Sequence, residues 1–428
     1  MSIVEQSTAA KSASILMAAI ETDVKNNALA EIARALKQQG LHIISANKED
    51  LVAAKKNNLA APLLKRLAFD EKKLADVLAG IESLIKLDDP VGRILDATEL
   101  DKGLELYKVT CPIGVIGIIF ESRPDALVQI STLCLKSGNA VLLKGGSEAA
   151  HTNKILAEII CQAGEKAALP KGWLQLLETR QDAAEMLKMD EYIDLIIPRG
   201  SNDFVRYIMS NTNIPVLGHA DGICHVYIDS DVDLDMAVKI SVDSKCQYVA
   251  VCNAAETMLV HSEIAQEFLP KVKSALEKND VELRGCEKTA AIIDVKPATE
   301  DDWSTEYLDK IISIKIVGSL DKAIKHINRY GSGHTDVIVT ANKAHADRFM
   351  QLVDSANVFW NASSRFSDGF RYGLGAEVGI STNKIHARGP VGLEGLVIYK
   401  WKLFGTGQIV ADYPDAKKFT HKKLDTLV

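Results

Sequence analysis

The stretch Ile113-Gly114-Val115-Ile116-Gly117-Ile118-Ile119-Phe120 is a continuous apolar run that ends at the charged residue Glu121. Such a run is typical of a β-strand that is covered on both faces of its sheet. A helical pattern follows at about 124–137, and a second buried strand is predicted at 140–143. Strand and helix patterns then alternate along the chain, with further strands at 192–197, 257–261, 311–317, 335–339 and 356–360. This alternation predicts an α/β fold with parallel, helix-flanked sheets.

The chain has 428 residues, a length that suggests two or three domains. Apolar stripes with helical spacing predict that residues 5–88 are helical almost throughout. A boundary near residue 230 separates the two α/β halves. The segment 361–395 is rich in glycine and lacks periodicity, which is typical of a functional loop in a compact enzyme.

The composition excludes several classes of protein. Hydrophobic residues make up 47% of the chain, and the net charge of −7 comes without a basic stripe, so we expect no nucleic-acid partner. There is no apolar run of membrane-spanning length and no signal-peptide pattern, so we expect a cytoplasmic protein. The seven cysteines include no C-x-x-C pair, and no histidines have zinc-ligand spacing, so we expect reduced thiols and no metal site.

Two cysteines, Cys246 and Cys252, lie in a connection between a helical pattern and a strand within the stretch Lys245–Glu256. A cysteine in such a connection can be exposed and backed by a helix or strand end, which is the setting that a thiolate nucleophile needs. The alternative is that each is a small buried apolar residue. The local pattern does not choose between the two cysteines.

Three predicted strands end in polar turns, and ligands of open α/β sheets bind beyond the carboxyl ends of strands. In one turn, Lys144 could meet a ribose hydroxyl or a phosphate, ahead of a predicted helix N-cap at Ser147. In another, the backbone N–H groups of Gly200 and Ser201 could receive a pyrophosphate. Solvated lysine and plain helix capping are the respective alternatives. The third turn carries Arg123 between two carboxylates, which either pair with it or form a substrate pocket with it.

The glycine-rich segment also contains a group of charged residues that resembles an anion site, because arginine matches carboxylate and phosphate geometry. Each of these residues alone would more often be a surface charge. They are Arg365, Asp368, Arg371, Lys384, His386 and Arg388.

Five segments closely resemble the glutamate-5-semialdehyde dehydrogenase (γ-glutamyl phosphate reductase) family of the aldehyde dehydrogenase superfamily. They are residues 112–125, 136–146, 252–254, 373–382 and 386–394. The resemblance implies two Rossmann-like α/β domains with a small β oligomerisation element. It also implies NADPH-dependent reduction of L-glutamate 5-phosphate to the semialdehyde, with release of phosphate, in proline biosynthesis.

Carried over residue by residue, the resemblance implies that Cys252 is the nucleophile that forms a thioester, whereas Cys246 is structural. It assigns NADPH to a domain at 1–230, with the hairpin near 100–112 belonging to the oligomerisation element. Residues 231–395 become the catalytic domain, and 396–428 the oligomerisation strand and C-terminal tail. The implied contacts to the cofactor are Lys144, Ser147, Gly200, Ser201 and Glu377, and the candidate substrate contacts are Arg123, Arg365 and Arg388.

The resemblance also implies a homo-oligomer, either a dimer or a tetramer, and makes glutamate 5-kinase a candidate partner. Asp125 differs from the asparagine of many bacterial relatives, so this position does not provide the side-chain amide considered as an oxyanion donor. The stretch 216–224 lacks the glutamate with which hydrolytic aldehyde dehydrogenases activate water. Two alternatives stay open: another aldehyde dehydrogenase that hydrolyses the thioester or transfers it to coenzyme A, and a non-catalytic binding protein of the same fold.

Overall fold

The computed structural model describes residues 2–219, 221–414 and 419–425. The chain divides into two compact units. The first comprises Met1–Leu217 and Val391–Val428, and the second comprises Gly218–Pro390.

The first unit begins with a helical region, as the apolar stripes predict, and continues into a β-hairpin. The first helix starts with a capping box between Ser2 and Glu5, and the fifth starts with Asp70 as its N-cap. The elements are α1 (Ile3–Met17), α2 (Thr22–Gln38), α3 (Gly40–Lys56), α4 (Ala61–Leu67), α5 (Glu71–Lys86), β1 (Ile94–Asp101) and β2 (Leu104–Pro112).

A four-stranded parallel sheet follows, in which the predicted strand after Pro112 is a central member. Every residue of the two strands β3 and β4 is buried, as expected of apolar strands covered on both faces. The elements are β3 (Val115–Phe120), α6 (Pro124–Lys136), β4 (Ala140–Gly145), α7 (Ala150–Lys166), β5 (Leu174–Leu177), α8 (Arg180–Met186), β6 (Leu195–Arg199) and α9 (Asn202–Ser210). The strand order is β5-β4-β3-β6.

The second unit is built around a seven-stranded parallel sheet of order β10-β9-β11-β8-β7-β12-β13. Apolar side chains from β7, β8, β11, β12 and α11 form its core. The elements are β7 (Cys224–Ile228), α10 (Leu234–Cys246), β8 (Ala255–His261), α11 (Ala265–Glu277), β9 (Glu282–Gly285), α12 (Glu287–Ala290), β10 (Lys296–Pro297), β11 (Ile311–Val317), α13 (Leu320–Tyr330), β12 (Thr335–Val339), α14 (Lys343–Leu352), β13 (Asn357–Trp360), β14 (Gly379–Ser381) and β15 (Gly389–Val391).

The first unit also contains an antiparallel sheet of order β16-β2-β1-β17, formed with β16 (Val397–Phe404) and β17 (Lys422–Lys423). The predicted hairpin and the predicted strand at 396–404 therefore lie in one sheet. β16 is its edge strand among the described residues, and all but the first of its residues are exposed. The predicted C-terminal tail is described to Pro414 and over 419–425; its other positions lie outside the described residues.

The predicted domain boundaries at 230 and 395 differ from the observed division after Leu217 and Pro390. The first difference arises because β7 pairs with β8 and β12 and so belongs to the second sheet. The sequence predicts a buried strand before residue 230, but it does not indicate which of the two sheets that strand joins. Over the described residues, no helix is long and apolar enough to cross a membrane.

Candidate active site

The two cysteines of the connection between α10 and β8 have different surroundings. Cys246 is the last residue of α10 and packs against the apolar core of the second unit, where burial raises the pKa of its thiol. Cys252 lies in the loop that follows and is half-buried. Both thiols are half-buried, so position separates them and exposure does not: Cys246 packs against the core at the end of α10, whereas Cys252 lies in the loop that follows.

A buried ion pair joins the two ends of this loop. Lys245 Nζ, at the end of α10, lies 2.5 Å from Glu256 Oε2 in β8, and both side chains are fully buried. Burial raises the pKa of Glu256 to about 7, while Lys245 opposes that shift. Removing one partner of such a pair leaves an uncompensated charge in the interior, so the pair fixes the separation of the loop ends.

Hydrogen bonds fix the loop between those ends. Asn253 Nδ2 donates to the Ser367 carbonyl at 2.7 Å, and Ser364 Oγ donates to the Asn253 carbonyl at 2.6 Å. Gly222 lies so close to the Cys252 backbone that any Cβ there would overlap it. Within the described part of the chain, the Cys252 N–H donates to no protein acceptor, so it can serve as an oxyanion donor.

Two histidines accompany the thiol. The ligand atoms of His219, Cys252 and His334 all lie within 4.8 Å of one another. The two rings meet edge to face, with centroids 4.9 Å apart. These residues are far apart in the sequence, so motif spacing could not bring them together.

Of the three candidate arginines, Arg365 is the one that contacts the cysteine loop and interacts electrostatically with Cys252. Its side chain is buried, and its Nε donates to Gln247 Oε1 at 2.9 Å in the cysteine loop. Burial and Arg371 lower the pKa of Arg365, and Cys252 is the first group that opposes this shift. The guanidinium and the thiol are therefore within electrostatic reach of one another.

The other two candidate arginines lie elsewhere. Arg388 pairs with Asp354 at 3.2 Å and donates to the carbonyls of Asp354 and Thr382, so its guanidinium is engaged within the second unit. Arg123 is the N-cap residue of α6 in the first unit. Asp125, which follows it, pairs with Lys73 at 3.2 Å. The structure thus distinguishes three arginines that the sequence treats alike.

In the first unit, a cavity of about 510 Å³ lies at the carboxyl ends of β3 and β4. Both Lys144 and Ser147 line it, and Lys144 is the only cation among its described lining residues. Its walls are Leu59, Leu63, Ile119, Phe120, Glu121, Ser122, Gly145, Gly146, Glu148, Ala183, Ala184, Leu187, Phe204, Tyr207 and Ile208. Its volume and its place beyond two parallel strands are those of a small-molecule site.

Two residues determine the conformation of the turn after β4, namely Gly145 and Glu148. A side chain at Gly145 would overlap Asn153. Glu148 Oε1 accepts from the N–H and the hydroxyl of Ser122, a residue in the left-handed region at φ 44°. The predicted helix N-cap at Ser147 is wrong, because Ser147 opens a 3₁₀ turn and α7 begins at Ala150.

The predicted pyrophosphate turn does not line this cavity. Gly200 packs against Glu121, and the Ser201 N–H donates to Glu121 Oε2 at 3.1 Å. A carboxylate therefore already accepts from the start of α9, and a phosphate would have to replace it there. Glu377, the remaining predicted cofactor contact, lies in the second unit and accepts from the Gly369 N–H at 2.7 Å.

Comparisons with known proteins agree with this architecture. The sequence model of the Aldehyde dehydrogenase family matches residues 3–300. The chain is 66% identical to a γ-glutamyl phosphate reductase of Acetivibrio thermocellus over 99% of both chains. It is 67% identical to the same enzyme of Pelotomaculum thermopropionicum over 97% of this chain and 96% of that one. The crystal structure of γ-glutamyl phosphate reductase from Thermotoga maritima superposes with a TM-score of 0.93, at 41% identity, covering 95% of this chain and 99% of that one.

Proposed function

The chain belongs to the γ-glutamyl phosphate reductases of the aldehyde dehydrogenase family, and we propose that it reduces L-glutamate 5-phosphate with NADPH through a thioester on Cys252. The family and fold predicted from the sequence are confirmed, and the chain is an oxidoreductase. The observation that carries the thioester proposal is the half-buried Cys252 in a loop fixed by buried contacts.

In the proposed reaction, the Cys252 thiolate attacks the acyl carbon of the acyl phosphate. The tetrahedral oxyanion accepts from the Cys252 N–H and then collapses, and phosphate leaves with the electron pair of the broken C–O bond. A thiolate suits this role because it attacks well and later leaves well. Loss of an oxyanion donor typically costs on the order of 10²-fold in rate.

The residues that we propose to hold NADPH fit a nucleotide. The cavity of about 510 Å³ offers Lys144 to a ribose hydroxyl or phosphate and Ser147 beside it. Gly200 and Ser201 are the other proposed contacts in this unit, with Glu121 leaving the start of α9 when a phosphate takes its place. Glu377, in the second unit, stays a separate candidate contact to the cofactor. When bound, the nicotinamide supplies the hydride that the thioester carbon takes up. The released thiolate of Cys252 then returns to its starting state as the semialdehyde leaves.

We propose that Arg365 binds an anionic group of the substrate, because it is the candidate arginine that interacts with both the cysteine loop and the thiol. Arg123 and Arg388 stay candidates for the remaining anionic group. Arg388 would have to exchange its contacts with Asp354 for a substrate contact. A shared role for the arginines fits a substrate with a carboxylate at one end and a phosphate at the other.

Phosphate dependence tests the proposed reaction. Run in reverse, glutamate 5-semialdehyde should reduce NADP⁺ over multiple turnovers only when phosphate or arsenate is present, because the anion is needed to release the thioester. Equal rates without either anion would instead indicate hydrolysis of the thioester. Activity that requires coenzyme A would indicate an acylating dehydrogenase. NADH should be compared with NADPH by kcat/KM in the same experiment, with the larger value expected for NADPH.

We propose a homo-oligomer, a dimer or a tetramer, formed through the edge of β16. This strand exposes Ile398, Tyr399, Trp401, Leu403 and Phe404. An exposed apolar edge strand is a template for pairing with another chain. Light scattering should therefore give a mass above that of one chain, and Trp401→Glu should lower it. A wild-type protein that runs as a monomer at assay concentration would contradict this proposal.

We propose that the reaction takes place in the cytoplasm in proline biosynthesis, where the thiols of the chain stay reduced. All seven cysteines are free in the structure. The acyl phosphate substrate is labile, so glutamate 5-kinase is a candidate partner that would transfer it directly. Trapping of the free intermediate by hydroxylamine in a coupled assay would show release into solution, and protection from hydroxylamine would support transfer.

A further inference from the structure

We propose that His219, Cys252 and His334 form a binding site for Zn²⁺ that reversibly blocks the thiol. Binding at this site does not depend on the proposed function. Inhibition does depend on it, because it follows only if Cys252 is the nucleophile.

The distances suit a small change to tetrahedral coordination. Zinc binds sulfur at about 2.3 Å and imidazole nitrogen at about 2.0–2.1 Å, which holds the ligand atoms about 3.4–3.6 Å apart. In the structure the three ligand atoms lie within 4.8 Å of one another. Side-chain adjustments of about 1 Å would therefore bring the three ligand atoms to these separations.

The histidine environments favour metal coordination. His219 Nδ1 lies 2.9 Å from the Ile380 carbonyl, which can only accept, so this nitrogen carries the proton. Metal-binding histidines usually donate one ring N–H to such a carbonyl and so present the other nitrogen to the metal.

His334 provides a second, independent indication. It is fully buried, and among the described residues its Nε2 has no hydrogen-bond partner. Its Nδ1 lies 2.8 Å from Thr335 Oγ1 and 3.7 Å from Cys224 Sγ, so we assign Nε2 as the nitrogen that binds the metal. A buried nitrogen without a partner costs free energy, so a bound cation at this nitrogen would satisfy an unmet requirement.

The donor set selects the kind of cation. One thiolate and two imidazoles suit Zn²⁺ and other borderline-soft ions, whereas Mg²⁺ and Ca²⁺ prefer oxygen ligands, which this cluster lacks. Three protein ligands leave the fourth position for water. Binding would release the thiol proton and engage the sulfur lone pair, so the bound thiolate could no longer attack an acyl carbon.

Co²⁺ serves as a spectroscopic substitute for Zn²⁺ in a test that needs no turnover. The reduced full-length protein is titrated with Co²⁺ in phosphate-free buffer. We expect a near-ultraviolet thiolate-to-cobalt charge-transfer band that Zn²⁺ removes by displacement. In parallel, Zn²⁺ at about ten times its dissociation constant should slow iodoacetamide labelling of Cys252, measured by peptide mass spectrometry, by about 10-fold, and a chelator should restore the rate.

Variants identify the ligands. Cys252→Ala should abolish the band, and His219→Ala should weaken binding by about 10-fold or more. Cys246→Ala and the exposed His42→Ala are matched controls that should bind as wild type does. His219→Ala keeps the test valid if His334→Ala fails to fold. Absence of the band and of labelling protection in the wild type, or unchanged binding in His219→Ala, would overturn the proposal. A turnover defect in Cys252→Ala is a separate result that bears only on the proposed function.

Discussion

The cysteine loop of the second unit leads into strand β8 and the Lys144 turn of the first unit ends strand β4, and the two are held in different ways. The loop is fixed by the buried Lys245–Glu256 pair and by hydrogen bonds that use Asn253 on both its side chain and its backbone. The turn lines a cavity of about 510 Å³. The carboxylates of Glu148 and Glu121 accept hydrogen bonds from backbone N–H and hydroxyl groups there, and a ligand could take the place of these carboxylates.

This difference suggests that the two sites meet different requirements. A nucleophile must be held in one position, because small displacements of reacting atoms reduce rates strongly. A dinucleotide cavity must exchange its internal contacts for contacts with the ligand. Changes in the loop should therefore affect stability and the chemical step, whereas changes in the turn should affect cofactor binding alone.

The largest expected effect comes from Cys252→Ala, which should lower kcat on the order of 10⁴-fold or more, since it removes the thiol that we propose forms the thioester. NADPH binding, measured by fluorescence titration, should stay within a few-fold of wild type. Cys246→Ala is the matched control and should retain turnover. Near-normal kcat in Cys252→Ala would show that the loop does not carry the nucleophile.

Lys245→Met should destabilise the second unit by about 3–5 kcal/mol, because it leaves the buried Glu256 carboxylate without its partner. Chemical denaturation would measure this change. Replacing both partners in Lys245→Met/Glu256→Gln should recover part of the loss. As a control, Lys343→Met removes an exposed pair with Asp347 and should change stability by only about 0.5 kcal/mol. Equal effects of the two single variants would remove the distinction between loop and surface.

Arg365→Ala should raise KM for L-glutamate 5-phosphate by about 10- to 100-fold, since a charge-assisted hydrogen bond contributes about 1.5–3 kcal/mol. NADPH binding, measured by fluorescence titration, should change little, which separates a lost substrate contact from a general loss of structure. Arg348→Ala, at an exposed arginine of the same unit, is the control. If KM is unchanged in Arg365→Ala, the anion is bound by other residues.

The smallest effect is expected in the turn. Lys144→Ala should raise KM for NADPH by about 10-fold, equivalent to about 1.4 kcal/mol, with little change in kcat. Lys171→Ala, at an exposed lysine, provides the comparison. A loss of kcat or of global stability in Lys144→Ala would contradict the assignment of this turn to binding alone.

Much of the fold could be predicted from local patterns. The run at 113–120 is buried throughout in β3, and helical stripes match α1, α2 and α5. The end of the first domain could not be placed, because β7 is as apolar as the strands of the other sheet and only pairing decides its membership. Ser147 has the residue type of an N-cap, but the 3₁₀ turn that precedes α7 has no local sequence signal.

For the candidate site, the sequence identified residue types and the family resemblance selected among them. Neither the sequence nor the resemblance could identify the partner residues that hold these side chains in place. Three contacts join residues that only the folded chain brings together, because their spacing in the sequence gives no sign of contact. They are the Lys245–Glu256 pair, the Glu121 contact to Ser201, and the approach of His219 and His334 to Cys252. Likewise, only the structure separates Arg365, near the thiol, from Arg388, which is engaged by Asp354.

The central claim is that Cys252 carries a thioester that phosphate resolves and water does not. The most direct test mixes the enzyme with glutamate 5-semialdehyde and NADP⁺ in the absence of phosphate, and follows NADPH and the modified peptide together. We expect a burst of NADPH stoichiometric with enzyme, a glutamyl adduct on the Cys252 peptide, and release of that adduct when phosphate is added. Sustained NADPH formation without phosphate, or an adduct on another residue, would contradict it.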